Sequence, residues 1–267
     1  VTDPSGTGAV VFVHAHPDDE AIFTGGTMVR LAAVGVPVVL VVATGGELGE
    51  IRPGFEPAVT TPEALAEIRR DECRAAGALL GASDTVFLGY RDSGMAGDPA
   101  NDDPECFWQA EVEAAGARLA EVLRSVGAVA VVGYDDFGIY GHPDHVQVAR
   151  VTEAAARSAG VETVYAATVD REYLHFVESH VVEEAVLADD LGLVRSRIGV
   201  SSVEVTTAVD VRGVLAAKRA AMAAHASQIP ESASALQLPE AHFADVYGTE
   251  WYLRAGPPGP LDGLRRR

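Results

Sequence analysis

Short runs of apolar, largely β-branched residues alternate with stretches of helical periodicity, and this alternation constrains the fold more than any other feature. Ala9–His14 (AVVFVH), Val36–Ala43 (VPVVLVVA), Thr85–Leu88, Ala128–Gly133 (AVAVVG) and Thr163–Val169 read as strands. Between them lie helical segments. Gly25–Ala33 places Met28, Leu31 and Ala32 on one face and stops at Gly35. Pro62–Leu80 has Thr61 as N-cap, Glu63 in its first turn and Gly81 as its stop. Glu111–Val126 and Pro143–Ala159 follow the same spacing, and Arg212–Ala226 is an alanine-rich helix. Apolar runs that lack polar alternation are strands covered on both faces, which requires a parallel sheet between two helical layers. The expected fold is therefore α/β, a Rossmann-like three-layer sandwich with a mostly parallel sheet. Its active site belongs at the carboxyl ends of the strands. No internal repeat is visible. One domain is expected over residues 1–255, followed by a flexible Pro/Gly-rich basic tail at 256–267 (GPPGPLDGLRRR). Glu172–Ser202 has no clear period and is left unassigned.

Three polar clusters fall at predicted strand ends: His14–Glu20, Thr44–Glu50 and Tyr134–His145. The first contains Ala15-His16-Pro17-Asp18-Asp19-Glu20 and the last Gly141-His142-Pro143-Asp144-His145. A single His-Pro-Asp turn reads as a loop fixed by an Asx-type hydrogen bond. Two, at strand ends that a parallel sheet brings together, read as a metal site. Imidazole and carboxylate are suitable zinc ligands, and two histidines with one aspartate leave the fourth position open, as in catalytic sites. A second carboxylate beside the metal is placed to accept a proton from water. Pro143 suits the first turn of a helix, on which His142 and His145 share a face. His14 lies inside the first strand and reads as a hydrogen-bonded core histidine. Tyr140 stands in a polar, glycine-flanked loop where a functional and a packing role are both open. Gly25-Gly26 reads as close helix packing, because no GxGxxG follows the first strand. That absence also speaks against a nucleotide-binding oxidoreductase.

Composition narrows the partners. With 20 Lys+Arg against 39 Asp+Glu, the 267-residue chain carries a net charge of −19. That balance excludes nucleic acid or an anionic membrane surface as the main partner. Cys73 and Cys106 match neither a metal site nor a disulfide framework, so a reducing cytoplasm is expected. The longest apolar stretch, near Val34–Ala43, is about half the ~20 residues of a membrane span. A homo-oligomer is left open.

The AHPDDE and GHPDH pair resembles the PIG-L/LmbE-like zinc deacetylases, which remove N-acetyl groups from N-acetylglucosamine-containing conjugates. The resemblance extends through TGGELGE at 44–50, EIRRDECRAAGALLG at 67–81, LGYRDSGMAG at 88–97 and KRAAMAAHASQI at 218–229. It covers most of the chain and is closest to the actinobacterial mycothiol deacetylase and mycothiol-conjugate amidase branch. It implies zinc, or iron(II) in cells, on His16, Asp19 and His145, with Asp18 as general base. His142 would support the oxyanion or act as general acid, Asp144 would orient His142, and Tyr140 would help polarise the substrate carbonyl. Arg69, Asp92 and Glu47 match substrate contacts, and His225 belongs to a recurring C-terminal motif. The implied activity is hydrolysis of an N-acyl group on a small amino-sugar conjugate. An amidase of thiol conjugates or natural-product amides is the alternative within enzymes, and a non-catalytic sugar-binding module is the alternative outside them.

Overall fold

The computed structural model describes residues 8–52, 55, 59–180, 198–229 and 233–264. Their strands are β1 (Ala9–His14), β2 (Val38–Thr44), β3 (Asp84–Tyr90), β4 (Ala128–Tyr134), β5 (Thr163–Thr168), β6 (Thr207–Asp210) and β7 (Thr249–Ala255). They form one sheet in the order β3-β2-β1-β4-β5-β7-β6. Pairing is parallel from β3 through β5, and β7 alone runs against its neighbours. Every residue of β1 and β2 is buried, as expected of strands covered on both faces.

The helices are α1 (Gly25–Ala33), α2 (Pro62–Leu79), α3 (Val112–Ser125), the one-turn α4 (Gly138–Gly141), α5 (Pro143–Ala159), α6 (Arg171–His180), α7 (Leu215–Ala224), α8 (Ser234–Gln237) and α9 (Glu240–Tyr247). α1 and α2 gather on α7, while α3 packs along α5 on the other side of the sheet. Phe12 and Leu40 in the central strands and Leu119 on α3 are fully buried, each worth about 1.5–3 kcal/mol against exposure. Thr61 caps α2 as expected, accepting the Ala64 amide at 3.2 Å.

The strand order explains where a site can form. From β1 the chain moves to β2 on one side, whereas β4 lies on the other. The loops leaving the carboxyl ends of β1 and β4 therefore border one crevice, the position that open α/β sheets use for ligands.

Three expectations change. The tail expected to be flexible is docked as far as Leu264. Leu261 and Leu264 are buried, and Asp262 accepts from Tyr165 Oη at 2.7 Å and Thr207 Oγ1 at 2.9 Å. Two apolar side chains and one well-bonded carboxylate are enough to pin a short segment that glycine and proline otherwise loosen. The unassigned stretch begins with α6, and residues 181–197 of it lie outside the described residues. The helix expected over Arg212–Ala226 is a 3-10 turn at Arg212–Val214 followed by α7. No helix among the described residues is long and apolar enough to cross a membrane.

Candidate active site

β1 ends at His14, whose Nδ1 meets Tyr134 Oη and Nε2 meets Thr24 Oγ1, both at 2.8 Å. Burial lowers its pKa to about 4, so it is a neutral core histidine. Beyond it the chain turns sharply. The His16 amide donates to Asp19 Oδ2 at 2.9 Å and the Asp18 amide to Glu20 Oε2 at 3.0 Å. Asp18 adopts φ 121°, a region that side chains avoid. Such a conformation costs roughly 1–3 kcal/mol and persists only where its surroundings over-determine it. Arg69, buried on α2, supplies part of that restraint. Its Nη2 donates to Asp18 Oδ2 at 2.9 Å and to the Pro17 carbonyl, and its Nη1 donates to the Gly46 carbonyl.

The loop after β4 holds Ile139 at φ 66°; it and Asp18 are the non-glycine residues with positive φ among those described. Buried Asp135 builds the loop, accepting the Phe137 and Ile139 amides on Oδ1 and the Thr168 hydroxyl on Oδ2. His142 then caps α5, its Nδ1 accepting the Asp144 amide at 3.1 Å, with Pro143 in the first turn. That bond leaves the proton of the neutral ring on Nε2. One turn on, His145 stacks on Tyr134 with ring centroids 4.5 Å apart, and its Nε2 lies 3.2 Å from Tyr140 Oη.

The two loops bring His16, Asp19 and His145 together, all buried. Asp19 Oδ2 lies 3.6 Å from His16 Nδ1 and 3.4 Å from His145 Nε2. Four ligands at bond lengths of ~2.0–2.2 Å around a tetrahedral ion stand about 3.3–3.6 Å apart, so this set fits a metal. A second grouping, His16 with Asp92, His142 and Asp144, overlaps it. There Asp144 and His142 Nδ1 are already committed. Asp144 Oδ2 lies 3.1 Å from His16 Nε2 and accepts the Ser93 amide at 3.0 Å, Oδ1 takes the Ser93 hydroxyl, and His142 Nδ1 holds the Asp144 amide. His16 thus turns Nδ1 toward the first grouping and Nε2 toward a carboxylate, the pairing that orients metal-binding imidazoles. Electrostatics agree, since buried carboxylates require a cation or a hydrogen-bonded partner. Burial alone would lower the His16 pKa, but Asp92, Asp144 and Asp19 together raise it well above the usual imidazole value.

A cavity of about 570 Å³ opens over this cluster, lined by His16, Asp18, Asp19, Asp92, Tyr140 and His142, with Leu48, Met95, Gln228 and Ile229 among its other walls. Burial pushes the Asp18 carboxyl up to about 6, against the opposing pull of Arg69. Burial, and then His16 and His145, lowers His142 to about 2. Desolvation keeps the Tyr140 phenol protonated. The cavity therefore presents a carboxylate able to accept a proton and two neutral donors.

Other expected residues sit differently. The Asp144 carboxylate is bonded to His16 and Ser93 and meets His142 only through its own amide. Arg69 touches the cavity, but its terminal nitrogens are engaged by Asp18 and two carbonyls, which makes it a positioning residue. Glu47 accepts the Asp92 amide at 3.0 Å and supports that wall from behind. Sequence reasoning assigns no role to Ser93, Asp135 or Glu20, although an aspartate directly after a buried strand is a usable signal for Asp135. Glu250 had no local signal. It accepts the Gly26 and Thr27 amides at 2.8 Å and pairs with buried Lys218. A protein carboxylate thus fills the amino end of α1, where nucleotide-binding folds hold phosphate. Gly26 also packs closely, since a Cβ there would lie 2.4 Å from Val211 Cβ.

Residues 11–156 match the PIG-L family, described as GlcNAc-PI de-N-acetylase. The chain belongs to the PIG-L family. A 1D-myo-inositol 2-acetamido-2-deoxy-alpha-D-glucopyranoside deacetylase from Thermomonospora curvata is 42% identical, over 94% of this chain and 92% of its own length. Among solved structures, N,N'-diacetylchitobiose deacetylase from Pyrococcus horikoshii superposes with TM-score 0.59 at 22% identity, covering 94% of this chain and 85% of that one. The 4-carboxy-2-hydroxymuconate hydratase from Pseudomonas putida superposes as well, with TM-score 0.61 at 19% identity over 95% and 98% of the two chains. The PIG-L fold thus carries more than one chemistry, and the reaction has to be argued from the side chains.

Proposed function

We propose that this chain is a zinc-dependent deacetylase of a small N-acetylglucosaminyl conjugate, acting through Asp18 as general base. Its enzyme class follows from family and relatives: it is a hydrolytic N-deacetylase. The observation that carries the reading is the meeting of Asp18, His142 and Tyr140 in one cavity over His16, Asp19 and His145. These last three residues would hold the metal. When bound, zinc supplies Lewis acidity that activates water and polarises an acyl oxygen.

The side chains do the rest. Asp18 accepts the proton of the attacking water. Tyr140 and the Nε2 proton of His142 donate to the oxygen that becomes negative as the acyl carbon turns tetrahedral. The proton then passes to the amine, releasing acetate and the free amino sugar. Asp92, with its amide fixed by Glu47, faces the sugar hydroxyls as an acceptor. The reading takes residues 1–255 as a single Rossmann-like domain. It places the enzyme in a reducing cytoplasm, which suits two free, buried cysteines.

The test is free-amine formation by zinc-loaded protein on a panel of N-acetylglucosaminyl conjugates, the inositol glycoside first. Acetate release that is lost on metal stripping and restored by zinc is the expected result. Equal turnover by thoroughly metal-stripped protein would overturn the reading, and cleavage of longer amides in place of acetamides would replace deacetylase by amidase.

A further inference from the structure

Two buried ionisable residues beside the site have no part in the reaction just described. Glu20 and His225 are both fully buried, and His225 Nε2 stands 2.5 Å from Glu20 Oε1. The other carboxylate oxygen, Oε2, accepts the backbone amide of Asp18 at 3.0 Å. A continuous path therefore runs from the end of α7, where His225 is the C-terminal cap, through Glu20 to the one residue of the first loop with φ 121°. Arg69 restrains the Asp18 carboxylate, while Glu20 restrains its backbone. Among the described residues His225 Nδ1 has no hydrogen-bond partner, and the ring is fastened to them through Nε2.

The segment that carries His225 is anchored independently. Ser227 donates through both its amide and its hydroxyl to Glu72 on α2, each at 2.7 Å, and its carbonyl accepts the Arg52 amide at 3.1 Å. Gln228 and Ile229 continue from there into the cavity wall. The His225 ring is thus presented to Glu20 by a fixed support, and packing alone would be served by an apolar pair in the same space.

We propose that His225 and Glu20 are a positioning pair that holds the Asp18 backbone in the conformation its role as base requires. The proposal rests on the reading of Asp18 above. The test compares kcat, KM, bound metal and thermal unfolding in His225→Leu, His225→Gln and Glu20→Gln. His225→Leu removes the donor and is expected to lower kcat roughly 10- to 100-fold, the effect of slight misplacement of a reacting group, with KM and metal content unchanged. His225→Gln keeps an N–H near the position of Nε2 and restores most of kcat. Glu20→Gln, which has one acceptor oxygen for two donors, lowers kcat. In an Asp18→Asn background, His225→Leu should cause no further loss, because both changes act through the same carboxylate.

Parental kcat in folded, metal-replete His225→Leu and Glu20→Gln would overturn the proposal, as would losses that multiply in the double variant. Should His225→Leu not fold, the two glutamine variants decide: a lower kcat in Glu20→Gln than in His225→Gln supports the pair, and equal kcat overturns it. Failure of the underlying reading looks different, because Asp18→Ala would then keep its activity.

Discussion

Two loops with the same His-Pro-Asp core leave neighbouring strands, and the aspartate after proline has opposite fates in them. In the first, Asp18 sits at φ 121° with its side chain 19% exposed at the cavity. In the second, Asp144 is fully buried and bonded to Ser93 and His16. The cause is helical phase. Pro143 opens a regular helix capped by His142, which turns the next residue inward. Pro17 precedes a strained turn and then an irregular π-type segment, Glu20–Thr24, with no side-chain cap. The position three residues after each histidine behaves alike in both, since Asp19 and His145 meet at 3.4 Å. Repetition thus marks the candidate ligand loops, whereas the backbone decides which carboxylate is free to take the proposed role of base.

The strongest way to break this comparison is to remove a ligand. His145→Ala should lose bound zinc and with it all activity above background, measured by metal analysis and free-amine release. Retention of stoichiometric metal by His145→Ala would mean that the overlapping grouping around Asp92 and His142 is the true site, whereas His16, which belongs to both groupings, should lose the metal on substitution by alanine in either case. Next comes the base. Asp18→Ala should keep its zinc and lose about 10²–10⁴-fold in kcat, the usual contribution of a positioned base. A kcat close to that of the parent would remove Asp18 from the mechanism.

What was legible in the sequence follows the same division. β1 and α5 run over the expected residues because an apolar run and a Pro-led amphipathic helix are local signals. β6, of four residues, is too short to display a period. β7 (TEWYLRA) buries Glu250 on its inner face, which inverts the polarity that marks a half-buried strand. Among site residues, the ligand candidates stood out through repetition and strand-end placement. Glu250, Ser93 and His225 act through partners 15 to 224 positions away. Nothing in their immediate neighbours encodes such contacts. Asp144 was legible as a site residue but not in its partner, because Ser93 arrives from the loop after β3.

A smaller effect separates the two aspartates by affinity and stability. Asp144→Ala leaves the Ser93 amide and hydroxyl and His16 Nε2 without their shared acceptor. A buried donor left unpaired costs about 1–3 kcal/mol, and loss of a carboxylate behind a ligating imidazole weakens metal binding roughly 10- to 100-fold. Denaturant unfolding and zinc competition titrations measure the two. Unchanged zinc affinity would show that Asp144 orients nothing at the metal.

The smallest effect is one of sign. With its carboxyl raised to about 6 from 3.8, Asp18 binds its proton more tightly in the folded, metal-free chain than in the unfolded one. The stability this contributes is complete below about pH 4 and disappears as pH rises through about 6. Asp18→Asn abolishes that dependence. Its metal-free Tm should match the parent's at low pH and exceed it above pH 6, by about 2–4 °C per kcal/mol for a chain of this size. Metal binding narrows the gap, because a nearby cation favours the ionised carboxylate. Asp144→Asn should move Tm the other way, since an amide cannot accept from all the donors that Asp144 serves. If both variants shifted Tm in the same direction, the two aspartates would occupy equivalent environments and the contrast between the loops would fail.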